Sequence, residues 1–493
     1  MTQNKNHSSE LNLIEIARNT MIHEGFEPDF PATAMAEVAK LNGESPHARS
    51  AVRDLRNLLW SSIDNVESKD LDQVEYVEND GDEIRVFIGI ADVDSYVAKG
   101  SAVDQHAFEN TTSVYTGVKT FPMLPEKLST DITSLVQDQD RLAVIIEFGV
   151  PQDGQVVPRE VYAALVQNKA KLSYDSVGKW LDNNGTIPEP ITKVPQLEDQ
   201  IKLQAEAARR LLATRRANGA LELETIQATP VMDDSGSVVD LSVTEQNSAR
   251  DIIENFMIAA NVSMSDYLGK HGVTSLQRIV RRPENWARIV EMADELHESL
   301  PDEPDARALA GFLERRRKLD PDHFPDLSLA VVKLLGPGEY VAQRPEDRGE
   351  GHFGLAVHNY IHSTAPNRRY ADLITQRLLK SLQEPNNSPY SFSELQQIAD
   401  HCNERESAAR KVERKMRKVA AAVLLKDRIG EEFDSIVTGV TPKGTFVRTI
   451  KPPVDGLVVR GKEGLKVGQH ARVRLQSTDP ANGFIDFAVV RHA

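Results

Sequence analysis

The chain has 493 residues, a net charge of −16 and a single cysteine, Cys402, which excludes an internal disulfide framework and a cysteine-rich zinc module. The polar start MTQNKNHSSE lacks a signal-peptide core and no apolar run is long enough to span a bilayer, so the expectation is a cytoplasmic protein with no membrane segment. Hydrophobic residues at 40% and the length point to two or three globular domains, and the acidic balance speaks against indiscriminate binding to nucleic acid.

Leu13, Ile16, Ala17 and Met21 stand at helical spacing and predict a helix over residues 11–25. A second helix is expected over 32–41, entered through Pro31, so residues 1–59 read as a small helical segment. From Trp60 the texture changes. Residues 84–93 and 142–150 are β-rich runs bounded by Gly, Asp or Pro, and helices are expected over 195–218, 249–270, 284–298, 304–318, 370–383 and 394–428. Strands first and helices later make residues 60–428 an α+β domain. Residues 429–493 alternate five short β-rich runs with Gly, Pro and Asp turns, the pattern of a small OB-type barrel. Basic groups are concentrated near this end. Residues 405–418 hold seven Lys or Arg against two Glu, and 433–493 hold nine against five acids. Such stripes suit the guiding of a polyanion, though from charge alone a solvated helix face plus an ordinary surface is the plainer reading.

Three segments carry chemistry. SIDNVESKDLDQVE, residues 62–75, offers Asp64, Asp70 and Asp72. In an extended chain Asp70 and Asp72 share a face, roughly 6.6 Å apart, and Asp64 can return through the intervening turn. Three convergent carboxylates form a hard-oxygen site suited to Mg²⁺, which stabilises the attacking and leaving oxygens of phosphodiester hydrolysis. An acidic surface turn is the plainer reading, and an EF-hand does not fit the spacing. In GEGHFGLAVHNYIHSTAPNRRYAD, residues 349–372, the glycines follow a charged loop and not a strand, which argues against a nucleotide cofactor. His358 and His362 have zinc-like spacing but no third ligand nearby. Arg368 and Arg369 open a helix, where a guanidinium can meet a phosphate oxygen or simply face solvent. In NTTSVYTGVKTFPMLP, residues 110–125, Tyr115 and Phe121 can stack on a base or fill the core.

Taken in order, these motifs resemble the nuclease domain of the ribonuclease II / ribonuclease R (RNB) family. That family's pattern D-x5-D-x-D-D is matched by Asp64, Asp70 and Asp72. Its IADV strand and following loop are matched by residues 90–93 with Gly100, Ser101 and Asp104. Tyr115 with residues 122–125 and Ser129 matches a third motif, and residues 352–355 with Tyr360, Thr364, Pro366, Arg368 and Tyr370 a fourth. Residues 169–177 and 252–261 also look like family segments. The barrel is similar to the repeated RNA-binding domain of the ribosomal small-subunit protein that captures messenger RNA.

The resemblance implies stepwise hydrolysis of single-stranded RNA from the 3′ end, release of 5′-nucleoside monophosphates, and Mg²⁺ or Mn²⁺ as cofactor. It names no protein partner. It implies that Asp64, Asp70 and Asp72 bind the metal, with Asp72 the most critical. Arg368 matches the arginine on the scissile phosphate, with Arg369 beside it on the RNA. Tyr115 matches the tyrosine that clamps the last nucleotide, and Glu413, in KVERK, a glutamate near the RNA. Two departures stand out. The fourth aspartate of the family's metal set is Gln73 here, which removes a charge; Glu75, two residues on and on the same side of a strand, can restore it. The tandem cold-shock domains that usually precede the nuclease domain have no room in residues 1–59. An RNA-binding protein on a catalytically weakened RNB scaffold is therefore the alternative, and an adaptor that docks a partner through the N-terminal helices a third.

Overall fold

The strands Glu83–Ala91 (EIRVFIGIA) and Asp140–Val150 (DRLAVIIEFGV) are apolar on both sides, and they lie in the middle of a seven-stranded sheet. Strands covered on both faces read as continuous hydrophobic runs. In the computed structural model, which describes residues 12–43, 52–224, 226, 228–233, 236–347, 349–382 and 388–492, the sheet order is Arg53–Asp54, Val157–Gln167, Asp140–Val150, Glu83–Ala91, Gln73–Asp80, Ser61–Asp64 and Ala170–Ser173. Pairing is antiparallel except at the two edges, where Arg53–Asp54 and Ala170–Ser173 join in parallel.

Helices cover both faces. Ile88, Ile146 and Val77 pack against Ile201 of the helix Leu197–Asn218 and Phe256 of the helix Ser248–Lys270. On the other face Val74, Phe87 and Ile145 meet Leu373 and Leu378 of the helix Tyr370–Ser381 and Leu395 of the helix Phe392–Leu425. Each fully buried Leu, Ile or Phe contributes about 1.5–3 kcal/mol. The helix starts are set by caps: Asn247 accepts from the N–H groups of Ala249 and Arg250, and Ser391 forms a reciprocal capping box with Glu394.

At the C-terminal end the strands Glu432–Thr441, Gly444–Thr449, Asp455–Arg460, Phe484–His492 and His470–Asp479 close, in that order, into a barrel around Phe433, Val447, Leu475 and Phe487. The barrel seats on Ala421, Ala422 and Leu425 at the end of the long helix, and Arg448 pairs at 3.2 Å with Asp326 of the helix Phe324–Leu335. The fold is α+β with an OB-type barrel, as the sequence leads one to expect. The helix expected over 195–218 runs Leu197–Asn218, and that over 394–428 runs Phe392–Leu425. One difference is at the start. The helices Leu13–His23 and Ala32–Ala39 form, but Arg53 and Asp54 already pair with Ala164 and Leu165 of the sheet. The sheet therefore begins before residue 60, because a two-residue strand has no periodicity to read. Residues 1–11 and 44–51 lie outside the described residues.

Candidate active site

The acidic segment forms the turn between the strands Ser61–Asp64 and Gln73–Asp80 and is pinned from below. Lys171 Nζ donates to the carbonyls of Val66 at 2.8 Å and Ser68 at 2.5 Å. Ser134 Oγ accepts from the Leu71 N–H at 2.9 Å and donates to the Lys69 carbonyl at 2.6 Å. Leu71 is buried in the core, so its neighbours Asp70 and Asp72 are carried together at a fixed place in the cleft.

Asp72 is 2% exposed, and both of its oxygens are held. Oδ1 accepts from the Asn367 backbone N–H at 3.0 Å, and Oδ2 from Arg368 Nε at 3.2 Å. Asn367 is itself fixed by Thr133, whose hydroxyl donates to its Oδ1 at 2.6 Å. Asp70 Oδ2 accepts from the Tyr115 hydroxyl at 3.4 Å. Tyr115 is 43% exposed at the mouth, and its backbone N–H donates at 3.3 Å to Glu413 of the long helix. Gln73, 7% exposed, donates through Nε2 to Asp64 Oδ2 at 3.3 Å. The structure thus gathers Asp64, Asp70, Asp72, Gln73, Arg368, Tyr115 and Glu413 in one region.

Burial pushes the Asp64 carboxyl up to about 7; the charges of Asp72 and Asp70 add to this, and Arg368 and Lys171 oppose it. Asp72 is raised to about 6, again by burial first, with Arg368 and the Asn367 N–H pulling the other way. Crowded acids of this kind are relieved by a divalent cation, and their oxygens are the donors that Mg²⁺ prefers. They line an open cleft and not a finished cage: among the described residues no three His, Cys, Asp or Glu side chains surround a common point.

Arg369, expected beside Arg368 on the RNA, is elsewhere. It is the extended N-cap of the helix Tyr370–Ser381, and its Nη2 donates to Asp372 at 2.8 Å and Thr364 at 3.3 Å. Arg368 closes the turn that begins at Ala365, whereas Arg369 is extended. The Arg368 guanidinium faces the cleft on Asp72, and that of Arg369 secures its own loop, which Asp372 also grips by accepting from the Ala365 N–H at 2.7 Å. Of the histidines, His358 is exposed while His362 is bonded to the Tyr340 hydroxyl at 2.7 Å. Burial, then the charge of Arg369, holds His362 well below its ordinary value. Residues 358–362 are not helical, so the i, i+4 spacing brings no shared ligand set. The glycines of GEGHFG lead into a short turn, Phe353–Leu355; Gly351 has φ 71° and a Cβ there would lie 2.6 Å from the Val357 carbonyl. Phe121 is core, packed with Val114, Val412 and Met416.

Residues 52–384 match the RNB domain family, and residues 431–490 match the RNase II-type exonuclease C-terminal S1 domain. The chain belongs to the RNB family. This RNB chain is 31% identical over 470 residues to Ribonuclease R of Thermotoga maritima, covering 89% of this chain and 65% of that protein. It is 28% identical over 493 residues to Ribonuclease R 1 of Lactococcus lactis, covering 93% and 59%. The chain thus spans about three fifths of the length of these relatives. Its fold is that of Mycoplasma genitalium RNase R in complex with ribose methylated single-stranded RNA, with a TM-score of 0.86, 23% identity, and coverage of 97% of this chain and 78% of that one.

Within the RNB domain two contributors escaped the sequence. The Asn367 N–H on Asp72 is a backbone group, which no side-chain motif announces. Asp372, buried at the first turn of its helix, holds the loop that aims Arg368. An acid in a helix's first turn was the available signal.

Proposed function

We propose that the chain is a 3′→5′ exoribonuclease of single-stranded RNA, releasing 5′-nucleoside monophosphates by metal-assisted hydrolysis. Residues 60–428 carry the chemistry and 429–493 help to hold the RNA. The observation that carries the reading is the buried Asp72, clasped by Arg368 and the Asn367 N–H beside Asp64 and Asp70, with Tyr115 at the mouth. Support comes from relatives named Ribonuclease R and from the single-stranded RNA complex of a protein of the same fold.

Asp64, Asp70 and Asp72, with Gln73 beside them, are the residues that would hold Mg²⁺, which supplies positive charge against the charge that builds up on the phosphodiester. Arg368 is the free-state partner of Asp72 and turns its remaining donors to the scissile phosphate, where a fixed planar fork of N–H groups stabilises developing charge. Tyr115 stacks on the terminal base and is held in register by Glu413. Water attacks the last phosphorus, the bond to the 3′ oxygen of the preceding nucleotide breaks, and the phosphate leaves on the released nucleotide. The 2′-hydroxyl distinguishes RNA from DNA. The compartment proposed for this activity is the cytoplasm.

The test is release of mononucleotides from a 3′-labelled single-stranded oligomer with Mg²⁺ or Mn²⁺, and its loss on chelation. Gln73, an amide resting on Asp64, favours the second reading, an RNA-binding protein on a weakened scaffold. RNA binding without hydrolysis in either metal would decide for it.

A further inference from the structure

The basic segment 405–418 lies within the helix Phe392–Leu425, whose period sorts six of its seven cations into two stripes. Arg410, Arg414 and Arg417 stand at i, i+4 and i+7 and share one side. Lys411, Lys415 and Lys418 repeat that spacing one residue on, about 100° around the axis. Ala409, Val412, Met416 and Val419 form the buried side that seats the helix. The stripes carry equal charge and meet different surroundings. Lys411 pairs at 3.6 Å with Glu24 at the end of the helix Leu13–His23, and a Cβ on Gly483 of the barrel would lie 2.8 Å from that of Lys418. Arg410 and Arg417 lie one turn before and one turn after Glu413, which accepts the Tyr115 N–H at 3.3 Å.

Arg405, the seventh cation, is tied to the carbonyls of Glu24 and Gly25. Arg410 is exposed and shares Glu406 with Arg278, so its own pair at 3.2 Å contributes little. Among the described residues Arg414 and Arg417 form no ion pair. The arginine stripe is thus a local excess of positive charge, beside the tyrosine at the mouth, on a chain of net charge −16. We infer that Arg410, Arg414 and Arg417 are a phosphate track: they take the phosphates of the nucleotides that precede the 3′-terminal one at Tyr115, and the lysine stripe is a solvated flank. The track spans about 10 Å of helix, the length of roughly three stacked nucleotides at about 3.4 Å each. A guanidinium meets a phosphate with a fixed fork of N–H donors, which a lysine lacks. This rests on the RNA-degrading reading above.

The probe is fluorescent oligo(A), a trimer and an octamer, bound to the full chain in chelator so that nothing is cut. Two variants remove the same charge: Arg410→Gln/Arg414→Gln/Arg417→Gln and Lys411→Gln/Lys415→Gln/Lys418→Gln. The arginine triple should weaken octamer binding about tenfold or more and lower the slope of log affinity against log salt by about 2, at roughly 0.7 per phosphate contact. Its trimer affinity should change less, so the gain from trimer to octamer shrinks. The lysine triple should stay within about threefold of wild type for both oligomers near 0.15 M salt, where charges more than about 8 Å from the strand are screened. Should the arginine triple fail to fold, Arg414→Gln alone, exposed and unpaired, should lower the slope by about 0.7. Equal losses in the two triples overturn the inference, because net charge alone then explains them, and so does wild-type octamer affinity in the folded arginine triple or in Arg414→Gln. The catalytic reading is judged separately, since this assay reads binding: a wild type that binds the octamer but cuts it with neither metal leaves the track standing and removes the enzyme. A wild type that binds no octamer removes both.

Discussion

Two acidic clusters among the described residues differ in how fully they are matched by cations. Asp92, Asp94 and Asp104, from the segment that follows the strand Glu83–Ala91, meet Arg377 and Lys380 of the helix Tyr370–Ser381. Arg377 pairs with Asp94 at 3.1 Å and Asp104 at 2.8 Å, and Lys380 with Asp92 at 2.5 Å and Asp94 at 3.2 Å. In and behind the cleft, Asp64, Asp72 and Glu75 are all raised; among the described residues Arg368 is the only cation in contact with Asp72 and none is bonded to Glu75. A buried acid whose partner is built in holds structure. A buried acid left short of positive charge is held ready for something that brings it. The family-like residue Asp104 therefore falls on the structural side, bonded to Arg377 and to the Tyr370 hydroxyl at 3.0 Å.

The contrast breaks first at Asp72. Asp72→Asn should lower turnover on the order of 10³-fold, about 4 kcal/mol of transition-state stabilisation, while RNA affinity stays within a few-fold. Asn keeps an acceptor for the Asn367 N–H and removes a raised carboxylate, so the melting temperature should hold. Wild-type turnover in the purified variant would take Asp72 out of the chemistry. Arg377→Ala should do the reverse. It removes the cation from Asp104 and leaves Asp94 with Lys380 alone, and the expected cost is about 3–5 kcal/mol of stability, read in urea melts. A small change there would mean that the paired cluster is not structural.

The paired cluster and the cleft differ also in how far each could be read from letters. The acids of residues 64–72 are local, and their spacing alone gathers them. The partner of Asp72 lies 296 residues away, and only the family resemblance joined it to the aspartates. Arg368 and Arg369 are the same letter twice, and which one faces the cleft depends on the extended N-cap of a helix. Long amphipathic helices such as Leu197–Asn218 were legible because their period is sustained over many turns. The helix Phe324–Leu335, with the run LSLAVVKLL, was not, since a short apolar stretch fits strand and helix alike. The hairpin Ala228–Met232 with Val238–Val243 was missed because β-branched residues there alternate only weakly.

At the barrel the expected effect is smaller and spread over many contacts. Lys443, Lys462 and Lys466 are exposed, whereas Arg448, Arg472 and Arg474 have acidic partners. Replacing the three lysines by Gln should weaken RNA binding and reduce the slope of log affinity against log salt by about 2, at roughly 0.7 per phosphate contact for single strands. Activity on short oligomers should persist. An unchanged slope would mean that this face of the barrel does not track the backbone.

The smallest effect is expected at Gln73, where two influences oppose. An aspartate there adds a negative charge to the cleft, and Mg²⁺ affinity depends strongly on ligand charge. It also deletes the amide that now donates to Asp64 Oδ2 at 3.3 Å and sets another acid against a carboxyl already raised to about 7. Without metal, Gln73→Asp should therefore be less stable than the wild type by about 1 kcal/mol, the cost of one like-charge neighbour and one lost hydrogen bond. With metal the added charge is neutralised, so the half-saturating Mg²⁺ concentration should fall a few-fold, and turnover at low Mg²⁺ should rise. The wild type should respond better to Mn²⁺, which accepts amide and nitrogen ligands more readily. The two influences separate in one experiment: melting with and without Mg²⁺ beside a Mg²⁺ titration of turnover. A lower melting temperature without metal and an unmoved Mg²⁺ curve would leave Gln73 as a neighbour of Asp64 and no part of the coordination. Activity appearing only in Gln73→Asp, with the wild type silent in both metals, would make the natural chain a binding protein whose cleft lacks one charge.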